Sequence, residues 1–137
     1  MEWFRKVMGK VPTGLLSALT VIAILWLTLA PHPTGDLDLP LFPGADKVVH
    51  SIMFGVLAFV VCLETMKRHG WKMLSLPLIG VIAFLCAAFG TGIEILQRAM
   101  GLGREFEVLD ILSDAAGAFG AAGIWAMVQE AFSSPKD

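Results

Sequence analysis

The chain has 137 residues, 56% hydrophobic and only 16% charged, whereas about 25% of residues are charged in an average soluble domain. Its formal net charge is −2, so no basic surface argues for a nucleic-acid partner. Cys62 and Cys86 both lie inside apolar runs, without CxxC or Cys/His ribbon spacing. That excludes a zinc ribbon and favours buried, inert thiols over a disulfide.

Length alone suggests one domain. The apolar runs fit a small all-α polytopic membrane protein: four transmembrane helices with an outward-facing Pro-rich interfacial loop. Residues 1–12 read as an amphipathic interfacial segment, with Trp3 and Phe4 to dip into lipid and Arg5, Lys6 and Lys10 to face headgroups. A membrane-spanning helix needs roughly 20 mostly apolar residues. The first candidate, residues 13–30, is uncharged. Its basic start and Thr28-Leu29-Ala30 mimic a cleavable secretory signal, but the run is long enough to span, so a retained anchor is expected. The loop 31–47 has four prolines, two glycines and three acids, which rules out a regular helix there and suggests a lid on the outer interface. The second span, residues 48–66, carries His50 and, near its end, Glu64. The third, residues 74–97, is uncharged until Glu94. The fourth, residues 108–132, has Asp110 and Asp114 in its first two turns and Glu130 near its end. The expected organisation is thus a segment 1–12, a four-helix domain 13–132 and a cytoplasmic tail 133–137.

Short-loop Lys and Arg residues set the orientation. Arg5, Lys6, Lys10, Lys67, Arg68, Lys72 and Lys136 fall at one set of ends, and Lys47, Arg98 and Arg104 at the other. Seven against three places both termini in the cytoplasm. Asp46, His50, Glu94, Gln97, Arg104, Asp110 and Asp114 then gather on the outer side.

Ionisable groups beside or inside a membrane are costly and are the default functional hypothesis. Asp46 and His50 are four apart and share a helix face, as do Asp110 and Asp114; Glu94 and Gln97 are three apart. Asp46 also fits a simple helix-start carboxylate. Glu94 needs a partner, Arg98 or Arg104, because burying an isolated carboxylate is prohibitive. Arg104 suits phosphate or carboxylate recognition through its planar fork. Gly117, Gly120 and Gly123 read as a tight packing stripe. Oxygen donors plus one histidine suit a divalent ion, but no HExxH or comparable spacing is present, so no metal is assigned and the cofactor is left unknown. No serine-nucleophile motif surrounds Ser51 or Ser113.

The strings DKVVHSIMFGVLAF and EILQRAMGLGREFEVLDILSDAAGAFG resemble the two motifs of the VanZ-like family. Asp46, Lys47 and His50 match the first. Glu94, Gln97, Arg104, Glu107, Asp110, Gly117 and Gly120 match the second. The resemblance covers about residues 45–123 and includes a four-span layout. It departs at Asp114, where the family usually has Asn. An ionised Asp only accepts hydrogen bonds, so Asp114 needs a cationic partner, a proton or a metal. The resemblance implies a cell-envelope role, the namesake being associated with reduced sensitivity to the glycopeptide teicoplanin. It implies no particular reaction, so whether the chain is an enzyme is left open.

The expected function is an outer-leaflet polar pocket that binds or processes an amphiphile bearing phosphate or carboxylate, a lipid or a glycopeptide. His50, Glu94 and Asp110 are the candidate catalytic groups; Asp46, Lys47, Gln97, Arg104 and Asp114 the substrate-binding ones. Two alternatives stand beside it. A non-catalytic lipid-binding or lipid-translocating protein would need a homo-oligomer to form a conduit. A structural protein would use the same polar groups to lock its helices. Membrane lipids are the expected partners in every case.

Overall fold

The computed structural model describes residues 1–30, 42–101 and 107–135. Its elements are α1 (Glu2–Lys10), α2 (Leu15–Leu29), α3 (Ala45–Arg68), α4 (Leu76–Ala99) and α5 (Val108–Phe132), with no strand among the described residues. Three helices, α3, α4 and α5, are long and apolar enough to cross a membrane. At 1.5 Å per residue they reach about 36 Å, more than the hydrocarbon core of about 30 Å. The 15 residues of α2 reach only about 22 Å. It meets α1 at 71°, and the bent pair passes as a fourth span only if counted together. The first expected span is therefore shorter than its apolar run, because Pro12 and Gly14 break the chain just before it. Gly14 sits at φ 93°, a left-handed conformation suited to glycine.

α5 packs chiefly on α3 and then on α4, while α2 covers the outside of α3. Phe54, Ala58, Cys62, Ala83, Ala118 and Trp125 form the innermost layer. Both cysteines are free and buried. Large apolar side chains such as Ile22, Trp26, Phe84, Leu85, Ile124 and Met127 point outward, a surface suited to lipid chains rather than water. α1 is tied to the opposite end of the bundle from the start of α3. Phe4 meets Trp71 and Phe132 edge-on at 6.2 and 5.6 Å, and Arg5 donates to the Ser133 carbonyl at 2.6 Å.

Three buried polar side chains act as staples where the backbone breaks. Glu64 accepts from the N–H groups of Gly14, Leu16 and Ser17 at 3.0, 3.1 and 3.1 Å, and from the Ser17 hydroxyl at 2.5 Å. It caps α2, whose own N-cap residue has no side chain to do so. Gln129 clasps Leu74, accepting its N–H at 2.8 Å and donating to its carbonyl at 3.2 Å. Gln97 donates to the Thr28 carbonyl at 2.7 Å. Lys67 adds a bond to the Val11 carbonyl beside the Glu64 cap.

The glycine stripe expected on α5 is only partly a packing face. A Cβ on Gly117 would lie 2.0 Å from the Ser51 carbonyl oxygen, but at Gly120 and Gly123 it would meet nothing within 4 Å. Residues three apart advance about 300° around a helix, so the stripe rotates off the interface. The packed face runs through Asp114, Ala118, Ala122 and Trp125 instead. Gly117→Ala should therefore destabilise the protein by about 1–3 kcal/mol through overpacking. Gly120→Ala and Gly123→Ala should leave it unchanged or slightly firmer, since Ala favours helix. Thermal unfolding of the three variants in detergent checks this; equal effects would place α5 in another rotation.

Candidate functional site

α3 and α5 begin, and α4 ends, at one end of the bundle. This places Asp46, Lys47 and His50 beside Glu94, Asp110 and Asp114. α3 starts at Ala45, so Asp46 and Lys47 belong to its first turn rather than to the preceding loop. Asp46 does not cap that helix. The N-cap is Gly44, with no side-chain cap bond, and the exposed Asp46 carboxylate turns to the Lys47 ammonium at 3.0 Å.

The deepest layer is a His–Asp pair. His50 Nδ1 lies 2.8 Å from Asp114 Oδ1, with both side chains buried. Their approach follows from the backbone. Ser51 Oγ donates to the Ser113 carbonyl at 2.8 Å, and Gly117 lets α5 lie against Ser51. On the far side Gly90 makes room for the carboxylate, since a Cβ there would stand 2.6 Å from Asp114 Oδ2. Gly92, two residues further along α4, faces open space instead.

Above the pair is a mixed cluster. One donor atom each of His50, Glu94 and Asp110 lies within 4.8 Å of the other two. His50 and Glu94 are buried and Asp110 is partly so. Lys47 forms the rim. Its ammonium lies 3.0 Å from Asp46, 2.8 Å from Glu107 and 3.5 Å from Asp110. Glu107, matched in the second sequence motif but outside the expected binding set, thus belongs to the rim. It is the N-cap position of α5, where a carboxylate is favoured by the positive helix end.

The expected site residues therefore divide. His50, Glu94, Asp110, Asp114, Lys47 and Asp46 converge. Gln97 is buried, but its amide N–H is committed to the Thr28 carbonyl of α2. Arg104 and residues 31–41 of the Pro-rich loop lie outside the described residues. Arg98 is exposed. Chemically, the arrangement offers buried carboxylate oxygens, an imidazole fixed at one nitrogen, and a rim ammonium. It is equipped to bind a cation or to hold and move a proton.

A family model described as VanZ/LLP1 matches residues 11–129, which takes in every residue of the cluster. No curated protein and no solved structure matches the chain.

Removing one member of a buried hydrogen-bonded pair strands the other at a cost of about 1–3 kcal/mol. His50→Ala and Asp114→Ala should each lower stability on that scale. The double variant should lose less than their sum, with a coupling energy of about 0.5–3 kcal/mol. A thermal double-mutant cycle reads this directly, and simple additivity would mean that the two side chains do not interact.

Proposed function

The chain belongs to the VanZ/LLP1 family of membrane proteins, and from that premise we propose that its polar cluster binds the phosphate- or carboxylate-bearing headgroup of a cell-envelope amphiphile. The α1–α2 pair is read as the fourth span, which returns both termini to the cytoplasm, where the Lys and Arg majority favours them. The cluster then opens outward from a bacterial plasma membrane. That is the side where envelope lipids present their headgroups and where a glycopeptide such as teicoplanin acts. In this reading His50, Glu94 and Asp110 meet the headgroup, and Lys47, with Arg104, contributes positive charge. Asp114 positions His50 rather than touching the ligand, and Gln97 holds α4 to α2.

One observation carries the proposal: donor atoms from three different helices, His50, Glu94 and Asp110, converge within 4.8 Å beneath the Lys47 rim. A purely structural network is the second reading, favoured by the backbone staples of Glu64, Gln97 and Gln129. Those three satisfy broken backbone, which has no water to turn to in lipid. Among the described residues, the side chains of His50, Asp110 and Asp114 bond to other side chains rather than to backbone, and packed apolar residues hold helices as well as buried ion pairs do. Stability alone therefore does not account for it.

Lys47→Ala should weaken binding of a fluorescent polyprenyl phosphate to protein in nanodiscs by about tenfold, the loss of one charge-assisted hydrogen bond. Thermal stability should stay near wild type, because Lys47 pairs most closely with the exposed carboxylates of Asp46 and Glu107 and surface ion pairs add little. Undiminished binding in both Lys47→Ala and Asp110→Asn would overturn the headgroup reading. For topology, single cysteines added at residues 2 and 134 should both resist a membrane-impermeant maleimide in intact cells; labelling of one end alone would rule out the four-span arrangement.

A further inference from the structure

We propose that the end of the bundle opposite the polar cluster carries a preformed docking surface for anionic phospholipid headgroups, built jointly by α1, the last turn of α3 and the α3–α4 loop. The inference goes beyond the headgroup reading and does not rest on it, because no residue of the cluster takes part.

The surface follows from how α1 is seated. Phe4 and Met8 are four apart and turn to the bundle: Phe4 lies edge-on to Trp71 and Phe132, and Met8 is buried. Arg5 is drawn the same way, to the Ser133 carbonyl. Phe4 and Arg5, expected at the lipid from the sequence, are therefore engaged by the bundle instead. The opposite face of α1 holds Trp3, Lys6, Val7 and Lys10, which align in one stripe at helical spacing. All four are exposed, Trp3 at 76%. α1 turns 71° away from α2, so it lies across the direction of that helix rather than along it.

Two further cations extend the stripe. Lys67 bonds to the Val11 carbonyl, which brings the last turn of α3 to the end of α1. The neighbouring Arg68 lines a small cavity beside Thr13 and Gly14. Lys72 follows Trp71, whose ring meets Phe4. Arg68 and Lys72 are both exposed, one near the end of α1 and one near its start. The loop that carries Lys72 is fixed in place. Trp71 holds φ 63°, a left-handed conformation rare for a bulky residue. Its N–H donates to the Met66 carbonyl and its own carbonyl accepts from the Ser134 N–H, both at 2.9 Å. A surface set in advance needs little ordering when it binds.

Charge complementarity names the occupant. Among the described residues Lys6, Lys10, Arg68 and Lys72 pair with no carboxylate. Glu64 is buried and caps α2, and Glu2 and Glu130 line a cavity with Arg5. A helix that offers an exposed tryptophan beside lysines suits a lipid interface, and binds it more strongly where the lipids are anionic. Each Lys or Arg near such a surface strengthens the attraction about fivefold. A soluble acidic protein would also match the charge. The stripe, however, sits at the ends of helices long and apolar enough to cross a membrane, where a lipid surface is already at hand.

The test uses full-length protein in nanodiscs of equal phosphatidylglycerol and phosphatidylcholine, with a spin-labelled form of each lipid followed by EPR. Nanodiscs present the same lipids on both faces, so topology does not enter the result. Wild-type protein should retain phosphatidylglycerol at least about threefold over phosphatidylcholine. The preference should collapse in 1 M salt, where the screening length falls to about 3 Å. Neither measurement needs a substitution. The quadruple variant Lys6→Gln, Lys10→Gln, Arg68→Gln, Lys72→Gln should retain the two lipids alike with an unchanged melting temperature. Lys47→Ala, at the opposite end, should keep the preference. Equal retention of the two lipids by wild type overturns the proposal and leaves the face to a protein partner or a second copy. Loss of the preference in Lys47→Ala, with the quadruple variant unaffected, overturns it too, while the headgroup reading of the polar cluster stands.

Discussion

The close passage of α5 across α3 governs the rest of this structure. At Gly117 the two backbones approach so nearly that a single added carbon would overlap the Ser51 carbonyl. Gly55 answers from α3, where a Cβ would lie 3.3 Å from the Gly117 oxygen. In lipid there is no hydrophobic drive to press helices together, so close packing of small residues supplies the attraction. The Ser51–Ser113 hydrogen bond fixes the register of that approach. Because His50 precedes Ser51 and Asp114 follows Ser113, the register that seats the glycine also brings imidazole and carboxylate to 2.8 Å. The chemistry of the site is thus inherited from a backbone contact.

The buried polar residues divide by what they satisfy. Glu64, Gln97 and Gln129 each serve backbone groups that a helix end leaves open. In hydrocarbon such groups cost several kcal/mol apiece if unmet, so these side chains follow directly from breaking the chain between helices. Among the described residues, the Asp114 carboxylate meets the His50 imidazole and those of Asp46 and Asp110 meet the Lys47 ammonium instead. Like charges gathered at low dielectric oppose folding, so the cluster differs from the staples in what it costs the fold. This division also separates the two ends of the molecule. One end is closed by Phe4, Trp71, Phe132 and the Arg5 bond, while the other carries its charge outward.

The three long helices were legible in the sequence because continuous apolar length needs no tertiary information; the fourth segment, residues 108–132, coincides with α5. The convergence of Asp46, His50, Glu94, Asp110 and Asp114 was legible too, since their placement at helix ends needs only an antiparallel order of spans. What escaped was anything decided by rotation about a helix axis. Gly120 and Gly123 were grouped with Gly117 by spacing, yet face away. Gln97 was grouped with Glu94, yet donates to α2. Glu64 looked like a charge near a helix end, because its role depends on α2 arriving with a bare N-terminus. The break before α2 was read from the sequence, as the boundary between an interfacial segment 1–12 and a span from residue 13, but the angle of 71° between α1 and α2 was not.

Asp114 brings these strands together. Where the family resemblance leads one to expect Asn, an acidic residue demands a cationic or hydrogen-bonding partner at a fully buried position, 1% exposed. The structure supplies that partner in His50, and Gly90 supplies the space. An Asn carbonyl would also accept from Nδ1, but as a neutral and weaker acceptor. The carboxylate holds the ring more firmly and leaves the opposite nitrogen richer in electron density. The substitution is therefore not a loss of the pattern but a change in its strength. It raises the negative charge at the base of the site and fixes the imidazole above it through a charge-assisted bond at 2.8 Å, which an amide in the same place would make more weakly.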